Sequence, residues 1–167
     1  MLGLLRQLGI VPGGDGDGAG SDDDVVPGEG DPDASKQVVR RFHETTWNAG
    51  DLEAARGLLD DDLVDRDPLA FPGRGPGPDG LLGVVTAVRG AFSEFRRTIE
   101  DQIAEGDLVV TRFTDRCIHT GEFLQIPATG KAVIVAGTNI ERVAGGRITE
   151  VWHIEDLAGM MQQLGVA

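Results

Sequence analysis

The 167-residue chain has one cysteine, Cys117, and only two lysines against thirteen arginines. A single thiol excludes an intrachain disulfide and a metal cluster built from several cysteines, and it fits a cytoplasmic location. No apolar run approaches the roughly 20 residues that a membrane-spanning helix needs. The first residues, interrupted by Arg6, do not form a secretory signal. We therefore expect a cytoplasmic protein with no membrane partner.

Basic residues are scarce overall, with 15 Lys and Arg against 28 Asp and Glu and a net charge of -13. Residues 1–11 carry one positive charge, from Arg6, and residues 12–34 carry eight acidic residues and no basic ones, so residues 35–167 have a net charge of -6. An acidic domain repels phosphates, so no nucleic-acid partner is expected. The Gly, Asp and Pro content of residues 12–34 predicts a disordered linker. We therefore divide the chain into an extension, residues 1–34, and a domain, residues 35–167.

The domain begins with helices and continues with strands. Ser35, Asp51 and Asp156 are placed to cap helices. The predicted helices are 36–48, 52–59, 79–92 and 157–164, and the predicted strands are 62–66, 95–104, 107–119, 131–143 and 147–155. This order indicates an α+β fold with a mainly antiparallel sheet. Polar residues on the inner face of a curved sheet are typical of a ligand pocket.

The last two strands are joined through Gly145-Gly146, a two-residue hairpin signal. A two-residue loop sets Asn139 opposite Trp152, whereas a three-residue loop sets Asn139 opposite Val151. Trp152 and His153 point to opposite faces because side chains alternate along a strand. The two-residue loop predicts Trp152 in the cavity wall and His153 at the exterior or rim.

Five segments in order carry a family resemblance: WNAGD (47–51), VDRDP (64–68), HTGEFLQIPATGK (119–131), GTNIERV (137–143) and GRITEVWHIED (146–156). Together they resemble the SnoaL-like polyketide cyclases of the nuclear-transport-factor-2-like superfamily. The resemblance implies a curved antiparallel sheet wrapped by helices into a cone with an internal cavity. It also implies a homodimer, an aromatic polyketide ligand, no cofactor, and ring closure by acid–base chemistry in antibiotic biosynthesis.

The resemblance also selects candidate catalytic residues. His119 is expected as the general base, with Asp67 or Asp115 assisting it; alternatively His119 only hydrogen-bonds the following loop. Many relatives have an aspartate where this chain has Asn139, and an amide cannot accept the proton. Asn139 is therefore expected to hold an enolate oxygen, or else to be a satisfied buried amide. Asp115 alternatively pairs with an arginine such as Arg112 or Arg116.

The candidate substrate-binding residues are mostly aromatic, as a flat ligand requires. They are Phe42, Trp47, Arg66, Phe71, Phe92, Phe113, Trp152 and His153. The three histidines lack a ligand spacing such as H-x₃-H, so no metal is expected.

Two other functions stay open because the family aspartate is replaced by Asn139. One is a polyketide hydroxylase or rearrangement component, with a reductase as a possible partner. The other is a binding module without catalytic activity, since a fold alone does not fix a function. The leucines at positions 2, 5 and 8 permit a short docking helix for a partner enzyme or a frayed terminus.

Overall fold

The computed structural model describes residues 25–66 and 76–166. Within these ranges the chain forms four α-helices, one π-helical segment and five strands. The elements in chain order are α1 (Pro32–His43), the π-helical segment (Glu44–Ala49), α2 (Leu52–Arg56), β1 (Leu59–Asp65), α3 (Gly77–Ala91), β2 (Phe92–Glu105), β3 (Leu108–His119), β4 (Ala132–Ala144), β5 (Arg147–Glu155) and α4 (Leu157–Leu164). None of the helices in the described ranges is long and apolar enough to cross a membrane.

The five strands form one curved sheet in the order β1-β5-β4-β3-β2. Neighbouring strands from β2 to β5 are antiparallel, as expected, whereas β1 pairs with β5 in parallel. The α+β fold class predicted from the sequence is confirmed.

Helix α1 starts earlier than the sequence predicts. Asp31 caps it by accepting hydrogen bonds from the backbone N–H groups of Asp33 and Ala34, and Pro32 occupies the first turn, where its missing N–H costs nothing. The predicted cap, Ser35, is instead buried inside the helix. The caps predicted for α2 and α4 are confirmed, because Asp51 accepts from Ala54 N–H and Asp156 from Gly159 N–H.

The disordered linker predicted over residues 12–34 lies only partly in the described ranges, and its residues 32–34 belong to α1 instead. Gly28 N–H donates to Asp107 Oδ1 at 2.7 Å, and Arg142 donates to the carbonyl of Val26. Burial alone would raise the pKa of Asp107, but the hydrogen bonds from Gly28 and Arg142 outweigh it and lower this pKa. Residues 26–28 are therefore held against the β2–β3 turn. The predicted docking helix in residues 2–10 and the rest of the linker lie outside the described residues.

The inner face of β3 is the one expected from alternation. Every second residue from Val109 to His119 is buried, including Phe113 and Asp115. The helices pack on this face in two apolar clusters. One cluster includes Val39, Leu59, Val109 and Ile148, and the other includes Phe92, Phe123, Val133 and Met161.

The β4–β5 hairpin has the predicted two-residue loop, with Ala144 opposite Arg147. The register then shifts, because Arg142 pairs with Glu150 while Val143 pairs with Ile148, which leaves Thr149 as an extra residue. This bulge sets Asn139 opposite His153 rather than Trp152. The prediction for the two side chains is therefore reversed, and His153 faces inward.

Candidate functional site

An internal cavity of about 110 Å³ lies between the inner face of the sheet and the helices. Side chains of both apolar clusters line it, which places it between them. Among the residues that the structure describes, the lining is mainly apolar, with five polar or charged side chains: Arg97, Asp115, Asn139, His153 and Glu155. This composition suits an apolar ligand that carries a few hydrogen-bonding groups.

Asp115 forms a buried ion pair with Arg97. Arg97 donates from Nε to Oδ1 at 2.7 Å and from Nη2 to Oδ2 at 2.6 Å. The guanidinium also lies 3.6 Å from the ring centroid of Phe113 and 4.3 Å from that of Trp47. The alternative of an arginine partner for Asp115 is thus the one observed, but the partner is neither Arg112 nor Arg116. A carboxylate held this firmly is poorly placed to act as a mobile base.

The π-helical segment positions both the aromatic wall and Arg97. Trp47 stacks on Phe95 with 5.3 Å between ring centroids. Asn48 donates to the carbonyl of Arg97 and accepts from its N–H. The WNAGD motif therefore anchors β2 where the pairing of β2 with β3 is irregular.

Behind Arg97, a chain of buried hydrogen bonds runs through His43 to Glu141. Arg97 Nη1 lies 3.2 Å from His43 Nδ1, and His43 Nε2 lies 2.7 Å from Glu141 Oε1. A guanidinium only donates, so Nδ1 accepts and Nε2 carries the imidazole proton toward Glu141. All three side chains are buried.

Asn139 extends this chain of hydrogen bonds on the cavity side. Its Nδ2 donates to Glu141 Oε1 at 3.1 Å. Its Oδ1 is buried and has no hydrogen-bond partner among the described residues. The sequence predicted that Asn139 either is a fully hydrogen-bonded buried amide or holds an enolate oxygen. In the structure its Nδ2 is hydrogen-bonded and its Oδ1 is not.

His153 lies in the cavity wall beside two carboxylates. Its Nε2 is 3.3 Å from Asp65 Oδ1, and its Nδ1 is 3.4 Å from Glu155 Oε2. Glu155 lines the cavity as well. An imidazole beside a carboxylate has the chemistry to exchange a proton with a bound molecule.

His119 is fully buried and is not among the described side chains that line the cavity. Its Nδ1 accepts from the backbone N–H of Thr129 at 3.3 Å and lies 3.1 Å from Thr129 Oγ1. The ring proton then sits on Nε2, so this nitrogen is a donor and not a base. Burial lowers the pKa of His119 from 6.5, opposed by a backbone hydrogen bond at Gly121. This geometry favours the alternative in which His119 hydrogen-bonds the following loop.

The lowered pKa of His119 predicts acid sensitivity. The unfolded chain binds a proton near pH 6.5, whereas the native state resists it, so stability is lost as the pH falls below that value. We expect the urea midpoint to drop less between about pH 7.5 and about pH 5 in His119→Gln than in the wild type. The other two histidines are common to both proteins and cancel in the comparison. Equal drops would contradict the assignment.

Cys117 lines the cavity but is not a nucleophile. Burial, with a smaller contribution from the Asp115 charge, raises the pKa of its thiol to about 12. The thiolate is the reactive form, and it is not populated near neutral pH.

The remaining candidate residues divide into three groups. Phe42, Trp47 and Phe92 line the cavity as expected. Phe113, Trp152 and Arg66 are absent from the described lining of the cavity. Phe113 is buried against Arg97, and Trp152 lies on the outer face of the sheet with Arg66 Cζ 6.0 Å from its ring centroid. Asp67 and Phe71 lie outside the described residues.

Sequence reasoning missed Arg97, His43 and Glu141. Glu141 shares the inward face of β4 with Asn139, and strand alternation alone could have revealed it. His43 follows Phe42 on the buried side of α1. Arg97 had no such signal, because irregular pairing breaks the alternation of β2. Among the described residues, no group of three metal-ligating side chains comes together.

The chain is similar in sequence and in structure to proposed polyketide cyclases. The family model for SnoaL-like polyketide cyclases matches residues 37–164. IdmH, a proposed polyketide cyclase from Streptomyces antibioticus, is 35% identical with a TM-score of 0.70, covering 79% of this chain and 99% of IdmH.

Two further structures share the fold. TsrD from Streptomyces laurentii is 24% identical with a TM-score of 0.74, covering 83% of this chain and 100% of TsrD. AclR, a proposed hydroxylase from Streptomyces galilaeus, is 20% identical with a TM-score of 0.72, covering 82% and 99% of the two chains. A search of curated proteins found no significant match.

Proposed function

The chain belongs to the SnoaL-like polyketide cyclase family, and from this premise we propose that it closes a ring in an aromatic polyketide without a cofactor. The reaction is an intramolecular aldol addition in the internal cavity. We place it in the cytoplasm and in antibiotic biosynthesis, as the single cysteine and the family resemblance indicate.

The observation that supports this proposal is the position of His153. It lies in the wall of a mainly apolar cavity, with Glu155 beside it and Asn139 opposite it on β4. In the proposed reaction, His153 removes a proton from a carbon next to a carbonyl group. The resulting enolate carbon bonds to a second carbonyl carbon, and the new alkoxide takes the proton back. No atom or electron enters or leaves, so ring closure needs no oxidant.

The two carboxylates at His153 have a definite role in this scheme. Asp65 or Glu155 holds one ring nitrogen as a hydrogen-bond donor while the other nitrogen exchanges the proton with the substrate. In this scheme Arg97, which Asp115 holds in the cavity wall, donates one of its remaining N–H groups to the enolate oxygen. Asp67 remains a predicted assisting carboxylate.

The direct test is incubation of purified protein with a polyketide ester that precedes an anthraquinone, with product mass as the readout. Ring closure by aldol addition gives a product of the same mass as the substrate. A substrate that is bound but never converted would contradict the cyclase and favour a binding module.

A hydroxylase is the second candidate because Asn139 replaces the family aspartate and cannot take a proton. Oxygenation adds an oxygen atom, so the same mass measurement separates it from ring closure. Dependence of that product on an added reductase would identify the partner.

We also propose that the protein is a homodimer that associates through the outer face of its sheet. Ile103, Val110, Ile140 and Trp152 pair in turn across β2, β3, β4 and β5 and form an apolar row on that face. Ile103 is 71% exposed, and Val110, Ile140 and Trp152 are half-buried. An exposed apolar row of this kind is typical of an interface.

We expect Val110→Lys, at the centre of the row, to weaken dimerisation at least about tenfold in sedimentation velocity. The control is Ile134→Lys, an exposed isoleucine on the same face, about 20 Å along β4 from Ile140. Equal effects of the two substitutions would contradict an interface centred on the row.

A further inference from the structure

We propose that Asn139 selects ligands that present a hydroxyl group, because Glu141 and His43 fix its amide with the oxygen unpaired. This inference rests on the proposed function and specifies its ligand. A phenol or enol would donate its O–H to Asn139 Oδ1. Asn139 is thus a binding residue, and Glu141 and His43 are positioning residues.

The orientation of the amide follows from the directions of the hydrogen bonds. Arg97 can only donate, so His43 accepts at Nδ1 and donates from Nε2 to Glu141 Oε1. The carboxylate of Glu141 therefore acts as an acceptor and attracts the N–H end of Asn139. The oxygen end is left facing away from Glu141.

The buried contacts of Arg97 and Glu141 stabilise this orientation of the Asn139 amide. Asp115 holds Arg97 through two hydrogen bonds, and the guanidinium also packs against the rings of Phe113 and Trp47. Glu141 is fully buried, and His43 Nε2 holds its Oε1 at 2.7 Å. Flipping the amide would place Asn139 Oδ1 against Glu141 Oε1, two acceptors with no proton between them, so the flipped state is disfavoured.

The unpaired oxygen then has consequences for binding. Asn139 lines the cavity, and its Oδ1 is a buried acceptor without a partner among the described residues. A ligand with a hydroxyl group satisfies this acceptor, whereas an ether places its own oxygen lone pairs against it. A site built around one buried acceptor rejects the ligand that lacks the donor.

The test compares 2-naphthol with 2-methoxynaphthalene, which differ in the O–H, by calorimetric titration of the full chain. We expect wild-type protein to bind 2-naphthol about 10- to 100-fold more tightly. Asn139→Leu should bind the two ligands equally. Glu141→Gln offers its own amide N–H to Asn139 Oδ1, so the preference should fall to about one or reverse.

The control is Thr111→Val, which removes the contact to the other oxygen of Glu141 and should keep the wild-type preference. The ratio of two affinities is the readout, because a merely structural effect would weaken both ligands together. If Glu141→Gln does not fold, the wild type and Asn139→Leu decide the question.

Equal binding of both ligands by the wild type, no binding of either, or a preference that survives in Asn139→Leu would overturn the inference. If the wild type prefers 2-naphthol but closes no ring, the inference on Asn139 is supported and the proposed function is contradicted. If it binds both ligands equally but closes the ring, the proposed function is supported and the inference is contradicted.

Discussion

We expect His153→Gln to close the polyketide ring about 10² to 10⁴ times more slowly than the wild type. Glutamine keeps a hydrogen-bonding side chain of similar size, but it cannot exchange a proton with the substrate. The loss should appear in kcat, measured by product formation at saturating substrate. Substrate binding should change little, because the apolar walls of the cavity remain.

The matched control is His119→Gln, the same substitution at the histidine that the sequence predicted as the general base. His119 is fully buried beside Phe92, with 5.0 Å between ring centroids, and its Nδ1 is occupied by Thr129. We expect its catalytic rate to stay within a few-fold of the wild type. A larger loss at His119 than at His153 would restore His119 as the base.

A second measurement separates proton transfer from packing. His153→Ala leaves space in the cavity wall, and added imidazole can enter that space and carry the proton. Recovery of activity with imidazole, and not with a cation of similar size, would support the acid–base role. Failure of imidazole to restore any activity, together with a full loss of substrate binding, would indicate that His153 only shapes the cavity.

The elements that were predicted well have local causes. Helix α4 was predicted at its observed bounds because its cap, Asp156, and its apolar residues are adjacent in sequence. The inward face of β3 followed from alternation, because its pairing with β4 has no shift along its length. The family resemblance supplied the internal cavity, which the pattern of single strands only suggests.

The errors arise where pairing between strands decides the outcome. A single extra residue, Thr149, reverses the faces of Trp152 and His153, and nothing in the sequence of β5 marks that position as a bulge. Shifts between Ser93 and Arg96 and between Ile99 and Asp101 likewise conceal that Arg97 points inward. The inward position of His153, the proposed acid–base residue, and the buried cation Arg97 were therefore the parts of the site that the sequence could not predict.

The second large effect is expected at this buried cation, because Arg97→Met leaves the carboxylate of Asp115 buried without its partner. The side chains of Arg97 and Asp115 are only 2% and 8% exposed. Removing one member of a buried ion pair costs about 3–5 kcal/mol of unfolding free energy. The Tm should fall by roughly 10 °C, and urea denaturation measures the loss directly.

Two comparisons separate the buried charge from a general loss of contacts. Arg112→Met breaks the other Arg–Asp pair between β2 and β3, with Asp101, where the side chains are 57% and 61% exposed, and should cost less than about 1 kcal/mol. The double variant Arg97→Met with Asp115→Leu removes both charges and should recover most of the lost stability. If the double variant were as unstable as Arg97→Met, the loss would come from the hydrogen bond to His43 and the aromatic contacts of the guanidinium. Because the two pairs join the same two strands, their difference compares a buried pair with an exposed one, and the double variant separates the buried charge from the other contacts of Arg97.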